Sequence, residues 1–219
     1  MRQRQSRLEL SYTMSSIIGG LYAITPDCAD TENLLVMTKK ALTGGAKMIQ
    51  YRNKIADATL RRKQAGELAP LCREYDVPFI INDHLDLMLE VDADGLHLGR
   101  NDISVRDARM TLGNNKIIGA SCYNQINLAV RAEDQGADYV AFGAFFTSIT
   151  KPDAVVAPLE ILASAKQKLR TPVVAIGGIT RQNAAVLIAQ GGDAIAVSSA
   201  LFGTRDIQIT AKSFSQLFS

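Results

Sequence analysis

The chain has 219 residues, 47% hydrophobic and 21% charged, enough apolar material to bury a sizeable core and too much for a disordered chain. Its 24 Lys and Arg nearly balance 22 Asp and Glu, for a net charge of +2; this argues against nucleic acid as a partner and leaves room for a local anion site. The sequence has no apolar run of membrane-span length, no Cys-x-x-Cys, and only three widely spaced cysteines (Cys28, Cys72, Cys122) and two histidines, which argues against a membrane protein, a disulfide framework and a zinc site.

Residues 1–18 are polar and basic and read as an N-terminal extension; Arg2, Arg4 and Arg7 lead into no long apolar stretch of the kind a secretory signal needs. A cytoplasmic location follows. Residues 19–219 read as one domain. Strands are expected at Leu21–Thr25, Lys47–Tyr51, Phe79–Asn82, Gly95–Leu98, Ile117–Ala120, Tyr139–Phe142, Val173–Ile176 and Ala194–Val197. These eight runs are short and almost continuously apolar, as parallel strands covered on both faces must be.

Helical stripes lie between most of them. Leu34, Met37, Ala41 and Leu42 share one face, stopped by Gly44-Gly45. Leu68, Leu71, Cys72 and Tyr75 share another, and Pro78 blocks its continuation. The helices after the third and fourth strands have little room and should be short. Thr180 is the expected N-cap of a helix ending at Gly191-Gly192. Ile207, Ala211, Phe214 and Leu217 stripe the last helix, facing either the barrel or the second copy in a homo-oligomer. Alternation of this kind predicts an α/β fold, a single (β/α)8 TIM barrel. The rival, a doubly wound open sheet, is weakened by the missing G-x-G-x-x-G after the first strand.

In such a barrel the chemistry sits at the C-terminal strand ends, and these are polar. The second strand leads through Gln50 to Arg52 and Lys54, two cations at strand spacing that suit a phosphate or diphosphate. Asn82-Asp83 ends the third strand, and Asp102 follows the fourth. The two carboxylates either cap helices or hold one hard cation such as Mg2+. Ser121 ends the fifth strand, and a long loop after the sixth, a candidate lid, carries Ser148, Thr150 and Lys151. Gly177-Gly178 and Ser198-Ser199 stand where barrels bind a phosphate, or make a tight turn and a helix cap. His97 reads as a hydrogen-bonded core residue, and Cys122 as a buried thiol.

The series QYRNK (50–54), IND (81–83), DGLHLGRND (94–102), GAS (119–121), GADYVAFGAFFTSITKPD (136–153), PVVAIGGI (172–179) and AVSSA (196–200) resembles the thiamine-phosphate synthase (thiamine-phosphate pyrophosphorylase) family from about Gly20 to Gly203. The resemblance implies a (β/α)8 barrel and a transferase, EC 2.5.1.3. Such an enzyme couples 4-amino-2-methyl-5-(diphosphooxymethyl)pyrimidine to a thiazole phosphate, plain or carboxylated, with loss of pyrophosphate. By resemblance, Gln50, Arg52, Lys54 and Asn82 hold the pyrimidine diphosphate, with Ser121 and Lys151 completing that site. Asp83 and Asp102 bind Mg2+. Ser148, Thr150, Gly178, Ser198 and Ser199 hold the thiazole phosphate, beside Gly177. Arg52, Lys54, Ser121 and Lys151 carry the catalytic roles. The chain departs from the family at Ser148, Ala144, Arg100, Ser198 and Cys122-Tyr123-Asn124. A related thiazole tautomerase has no use for the full set of cations and carboxylates, so their presence favours coupling. A non-enzymatic binder of thiamine precursors has only the departures in its favour.

Overall fold

The computed structural model describes residues 18–147 and 156–219. Eight parallel strands close into a barrel in chain order. They are β1 (Gly20–Ile24), β2 (Met48–Tyr51), β3 (Phe79–Asn82), β4 (Gly95–Leu98), β5 (Ile117–Tyr123), β6 (Tyr139–Phe142), β7 (Val173–Ile176) and β8 (Ala194–Val197). β8 pairs back onto β1 through Gly20↔Ala194 and Tyr22↔Ala196.

The helices outside are α1 (Thr31–Thr43), α2 (Ala58–Glu74), α3 (Leu85–Glu90), α4 (Val105–Leu112), α5 (Ile126–Gln135), α6 (Glu160–Lys168), α7 (Ala184–Ala189), α8 (Ser199–Phe202) and α9 (Ile207–Ser215). As expected, α3 and α4 are short, with 6 and 8 residues.

Side chains alternate along every strand. Leu21, Ala23, Ile49, Phe79, Ile81, Leu96, Leu98, Val140 and Ile195 face outward into the layer beneath the helices. Tyr22, Met48, Ile80, Ile117, Tyr139 and Val174 fill the barrel interior, and Ile18 joins them. Both faces of the sheet are therefore largely buried, which accounts for the almost continuously apolar strands.

A repeated carboxylate pins the N-terminal rim. Asp94, Asp138 and Asp193 each stand just before an even-numbered strand and accept an N–H of the preceding odd strand: Phe79 at 2.8 Å, Ile118 at 2.7 Å and Val173 at 2.8 Å. Arg109 pairs with Asp138, and Lys166 with Asp193 at 2.8 Å. These contacts fix the stagger of the strands far from the mouth, where barrels keep their stabilising residues.

The structure corrects several boundaries. β5 runs on to Tyr123 through a register shift after Ser121. α2 begins at Ala58, after an Asp57 N-cap whose carboxylate accepts Leu60 N–H at 2.8 Å, so the stripe from Leu68 is only its second half. Thr180 does not cap α7; Asn183 occupies that position, and its Oδ1 accepts the Thr180 N–H at 2.7 Å. The α9 stripe faces the barrel: Ile207, Ala211 and Phe214 are buried against the core. Gly44 makes this possible, because a Cβ there would lie 2.4 Å from that of Ala211.

Candidate active site

The C-terminal rim of β2 and β3 frames a cavity of about 250 Å³ lined by Arg52, Asn53, Lys54, Arg61, Asn82 and Asp83, with Tyr51 and His84. Its geometry starts in the ladder. Thr25 N–H donates to the Gln50 carbonyl at 2.9 Å, and Arg52 N–H to Thr25 Oγ1 at 2.9 Å, so pairing of β1 with β2 continues past both strand ends. Asn53 points inward between the two cations and donates to the Cys28 carbonyl at 2.6 Å and to Gln64 Oε1 at 2.9 Å. Lys54 N–H donates to Asp27 Oδ1 at 2.7 Å, while the Arg52 guanidinium lies 3.8 Å from the same oxygen. That long ion pair leaves Arg52 available to a stronger anion.

Asp83 leaves β3 with φ at 65°, held by its N–H to the His97 carbonyl at 2.9 Å. Burial pushes its carboxyl above the ordinary range, and a hydrogen bond with Asp102 and the Asp102 charge push it further; Lys54 and His84 pull the other way. Asp102 does not cap α4, a task Ser104 performs. Instead its Oδ2 turns back to accept Gly99 N–H at 2.7 Å and faces Asp83. Among the described residues no three metal-ligating side chains gather. Two facing carboxylates beside a phosphate-sized cavity are nonetheless the donor set of a hard cation that completes its shell with water and substrate oxygens, so Mg2+ fits.

Beneath the cavity the barrel interior is polar. Gln50 is only 2% exposed, and its Nε2 donates to Tyr22 Oη at 2.7 Å. Tyr22 Oη lies 2.8 Å from Tyr139 Oη, which lies 2.9 Å from His97 Nδ1. His97 Nε2 lies 2.9 Å from Ser121 Oγ. Burial pushes the imidazole down to about 4, against the weaker pull of Asp102, so the ring is neutral at neutral pH. The expectation that His97 is a hydrogen-bonded core residue holds. Cys122 is buried, its thiol pushed up to about 12 by desolvation, and is inert as a nucleophile.

β7 and β8 stand across the mouth, four strands from β3 and β4 in the closed order. Gly177 and Gly178 have φ of 99° and 64°. A Cβ on Gly178 would stand 2.5 Å from the Phe146 carbonyl oxygen, and one on Gly177 would stand 2.4 Å from the Cβ of Ala144. Glycine is thus required there for close approach of the loop after β6, as in the tight-turn reading. Phe146 N–H donates to the Gly177 carbonyl at 3.1 Å, and Ala157 N–H to the Ala144 carbonyl at 2.7 Å. Ser198 precedes the four-residue α8, which Ser199 opens. Ser148, Thr150 and Lys151 lie outside the described residues.

The structure therefore gathers Arg52, Lys54, Asn82, Asp83 and Asp102 at one rim, Gln50 and Ser121 below it, and Gly177, Gly178, Ser198 and Ser199 opposite. Sequence reasoning missed Asn53, Arg61 and His84 in the cavity wall, and Tyr22 and Tyr139 beneath it. Arg61 had a detectable signal, one turn into a helix whose Asp57 cap follows the RNK run. The tyrosines had none, since each sits within an apolar strand.

The thiamine monophosphate synthase family matches residues 21–201. A thiamine-phosphate synthase of Nitrosospira multiformis is 57% identical over 92% of this chain and 86% of its own. One of Nitrosomonas eutropha is 56% identical over 92% and 95%. Among solved structures, a thiamine phosphate pyrophosphorylase from Pyrococcus furiosus superposes with a TM-score of 0.83 at 36% identity, over 94% of this chain and 96% of that one.

Proposed function

This chain belongs to the thiamine monophosphate synthase family and is a transferase of the thiamine-phosphate synthase type; from that premise we propose that it couples 4-amino-2-methyl-5-(diphosphooxymethyl)pyrimidine to a thiazole phosphate and releases pyrophosphate. The observation that carries this reading is the meeting of Arg52, Lys54 and Asp83 around one cavity, with the Asp102 carboxylate facing Asp83. Cations recognise a diphosphate, and paired carboxylates recognise the divalent ion that accompanies one.

Among the described residues no activated nucleophile faces the mouth, which favours a dissociative substitution in which the diphosphate leaves before the thiazole nitrogen attacks. Bound by Asp83 and Asp102, Mg2+ would neutralise charge growing on the leaving group. Arg52 and Lys54 hold the same oxygens from the β2 side. Lys151 completes that clamp, with Asn82, Gln50 and Ser121 orienting the pyrimidine diphosphate. Ser148, Thr150, Gly177, Gly178, Ser198 and Ser199 hold the thiazole phosphate across the mouth, so that its nitrogen meets the pyrimidine carbon. Water must be kept out while the cation lives, the role proposed for the loop after β6.

The test incubates the protein with both substrates and Mg2+ and follows thiamine phosphate by chromatography. Mg2+-dependent product, abolished by EDTA, is expected. Asp83→Ala and Lys151→Ala should each lower kcat on the order of 10²-fold or more, the scale of losing one preorganised electrostatic contact. Turnover near wild type in both variants would sink the assignment of roles.

A further inference from the structure

The hydrogen-bonded chain through the barrel interior has one self-consistent direction. Gln50 Nε2 donates to Tyr22 Oη, so the Tyr22 hydrogen goes to its other partner, Tyr139 Oη, 2.8 Å away. Tyr139 must then give its own hydrogen to His97 Nδ1, the remaining atom within reach at 2.9 Å. With Nδ1 accepting, the neutral ring carries its proton on Nε2 and donates to Ser121 Oγ at 2.9 Å. A doubly protonated ring would leave the Tyr139 hydrogen without an acceptor in a fully buried site.

We propose that His97 is a positioning residue for the transfer reaction: Tyr139 fixes it as the Nε2–H tautomer, and it turns the Ser121 hydroxyl hydrogen outward as a donor to the substrate's diphosphate. An oxygen that already accepts from the imidazole cannot give its hydrogen back to it. The inference rests on the reading of Ser121 as part of the diphosphate site. The path is built for this purpose by Gly119, where a Cβ would fall 1.9 Å from Tyr139 Cζ. Only a glycine lets the tyrosine ring cross from β6 to His97, against which it stacks at 5.6 Å between ring centroids. Nothing in packing alone requires four hydroxyl, amide and imidazole groups in line with Ser121 at the end of the series.

Two measurements test it. The chain has only two histidines, so 15N-histidine NMR of the wild-type protein reads the His97 tautomer directly. A protonated Nε2 and a bare Nδ1 are expected; a protonated Nδ1 overturns the proposal. The second is a kinetic cycle. Tyr139→Phe should lower kcat roughly 10- to 100-fold, the usual cost of removing a group that orients an active-site residue, with KM changed less than about threefold. In a Ser121→Ala background the same substitution should change kcat less than about twofold, because its effect passes through Ser121. Equal losses in both backgrounds would reduce Tyr139 and His97 to structural residues. His97→Gln, which keeps an N–H donor, should retain more activity than His97→Leu at matched thermal stability. A wild-type protein with no coupling activity would defeat the functional reading and the proposal together; an active wild type with the opposite tautomer or with additive losses defeats the proposal alone.

Discussion

Asp83 combines two costs that only function explains. Its backbone lies in the left-handed region, with φ at 65°, and its carboxyl is pushed up by burial and by Asp102. Asparagine tolerates that φ and carries no charge. In EDTA at neutral pH, Asp83→Asn is therefore expected to unfold later than wild type, by about 1 kcal/mol, or 2–4 °C in a calorimetric scan of a chain this size. An unchanged or lower melting temperature would mean that the two carboxylates do not strain the empty site. His97 gives the opposite pH signature to a salt-bridged histidine. Its folded-state value, about 4, lies below the ordinary 6.5, so the unfolded chain binds the proton first. Stability is full above 6.5 and falls by roughly 3 kcal/mol as pH drops towards 4. Urea unfolding across this range should show that loss in wild type and a shallower one in His97→Gln; parallel curves would contradict it.

The β/α elements were largely legible in the sequence because the barrel buries most of both faces of its strands. β3, β4, β6, β7 and β8 coincide with the apolar runs. The first half of α2 was not legible, since ATLRRKQAGE offers no stripe before Leu68 and tertiary packing recruits Gln64 and Ala65 instead. Nor was the interior chain: Tyr22 and Tyr139 look like core aromatics until the closed barrel aims their hydroxyls at Gln50 and His97. The aspartates before β4, β6 and β8 lay in plain view within DGL, ADY and GDA, but their meaning depends on which strand stands beside them. Burial pushes the Asp138 carboxyl up even though Arg109 and the Ile118 N–H pull it down. The pair is thus costly to hold, and costlier to break. Asp138→Ala should destabilise the fold by about 2–4 kcal/mol, leaving Arg109 and the β5 N–H without their acceptor. Chemical denaturation measures the loss, and kcat of the folded fraction should remain within about twofold of wild type. A large fall in kcat would show that the N-terminal rim controls the mouth.

Across the molecule, stability and chemistry occupy opposite ends of one barrel. The N-terminal rim is closed by satisfied carboxylates. The C-terminal rim gathers Arg52, Lys54 and Asp83 around a cavity, with Asp102 crowding Asp83. The mouth is therefore the part of the molecule with most to gain from a ligand. On the proposed function, pyrophosphate with Mg2+ would supply opposite charge to the cations and to the carboxylates at once. At a hundred times its dissociation constant, any ligand of the folded state adds about 2.7 kcal/mol, which for a chain of this length corresponds to a rise on the order of 5–10 °C. That rise is expected from the two together and should be less than half as large with either alone. Arg52→Ala should abolish most of it while leaving the ligand-free melting temperature close to wild type, since among the described residues the Arg52 side chain makes only a long ion pair with Asp27. Asp138→Ala should lower the baseline and keep the full rise. If Arg52→Ala kept the rise instead, the diphosphate would have to sit elsewhere than the β2–β3 rim.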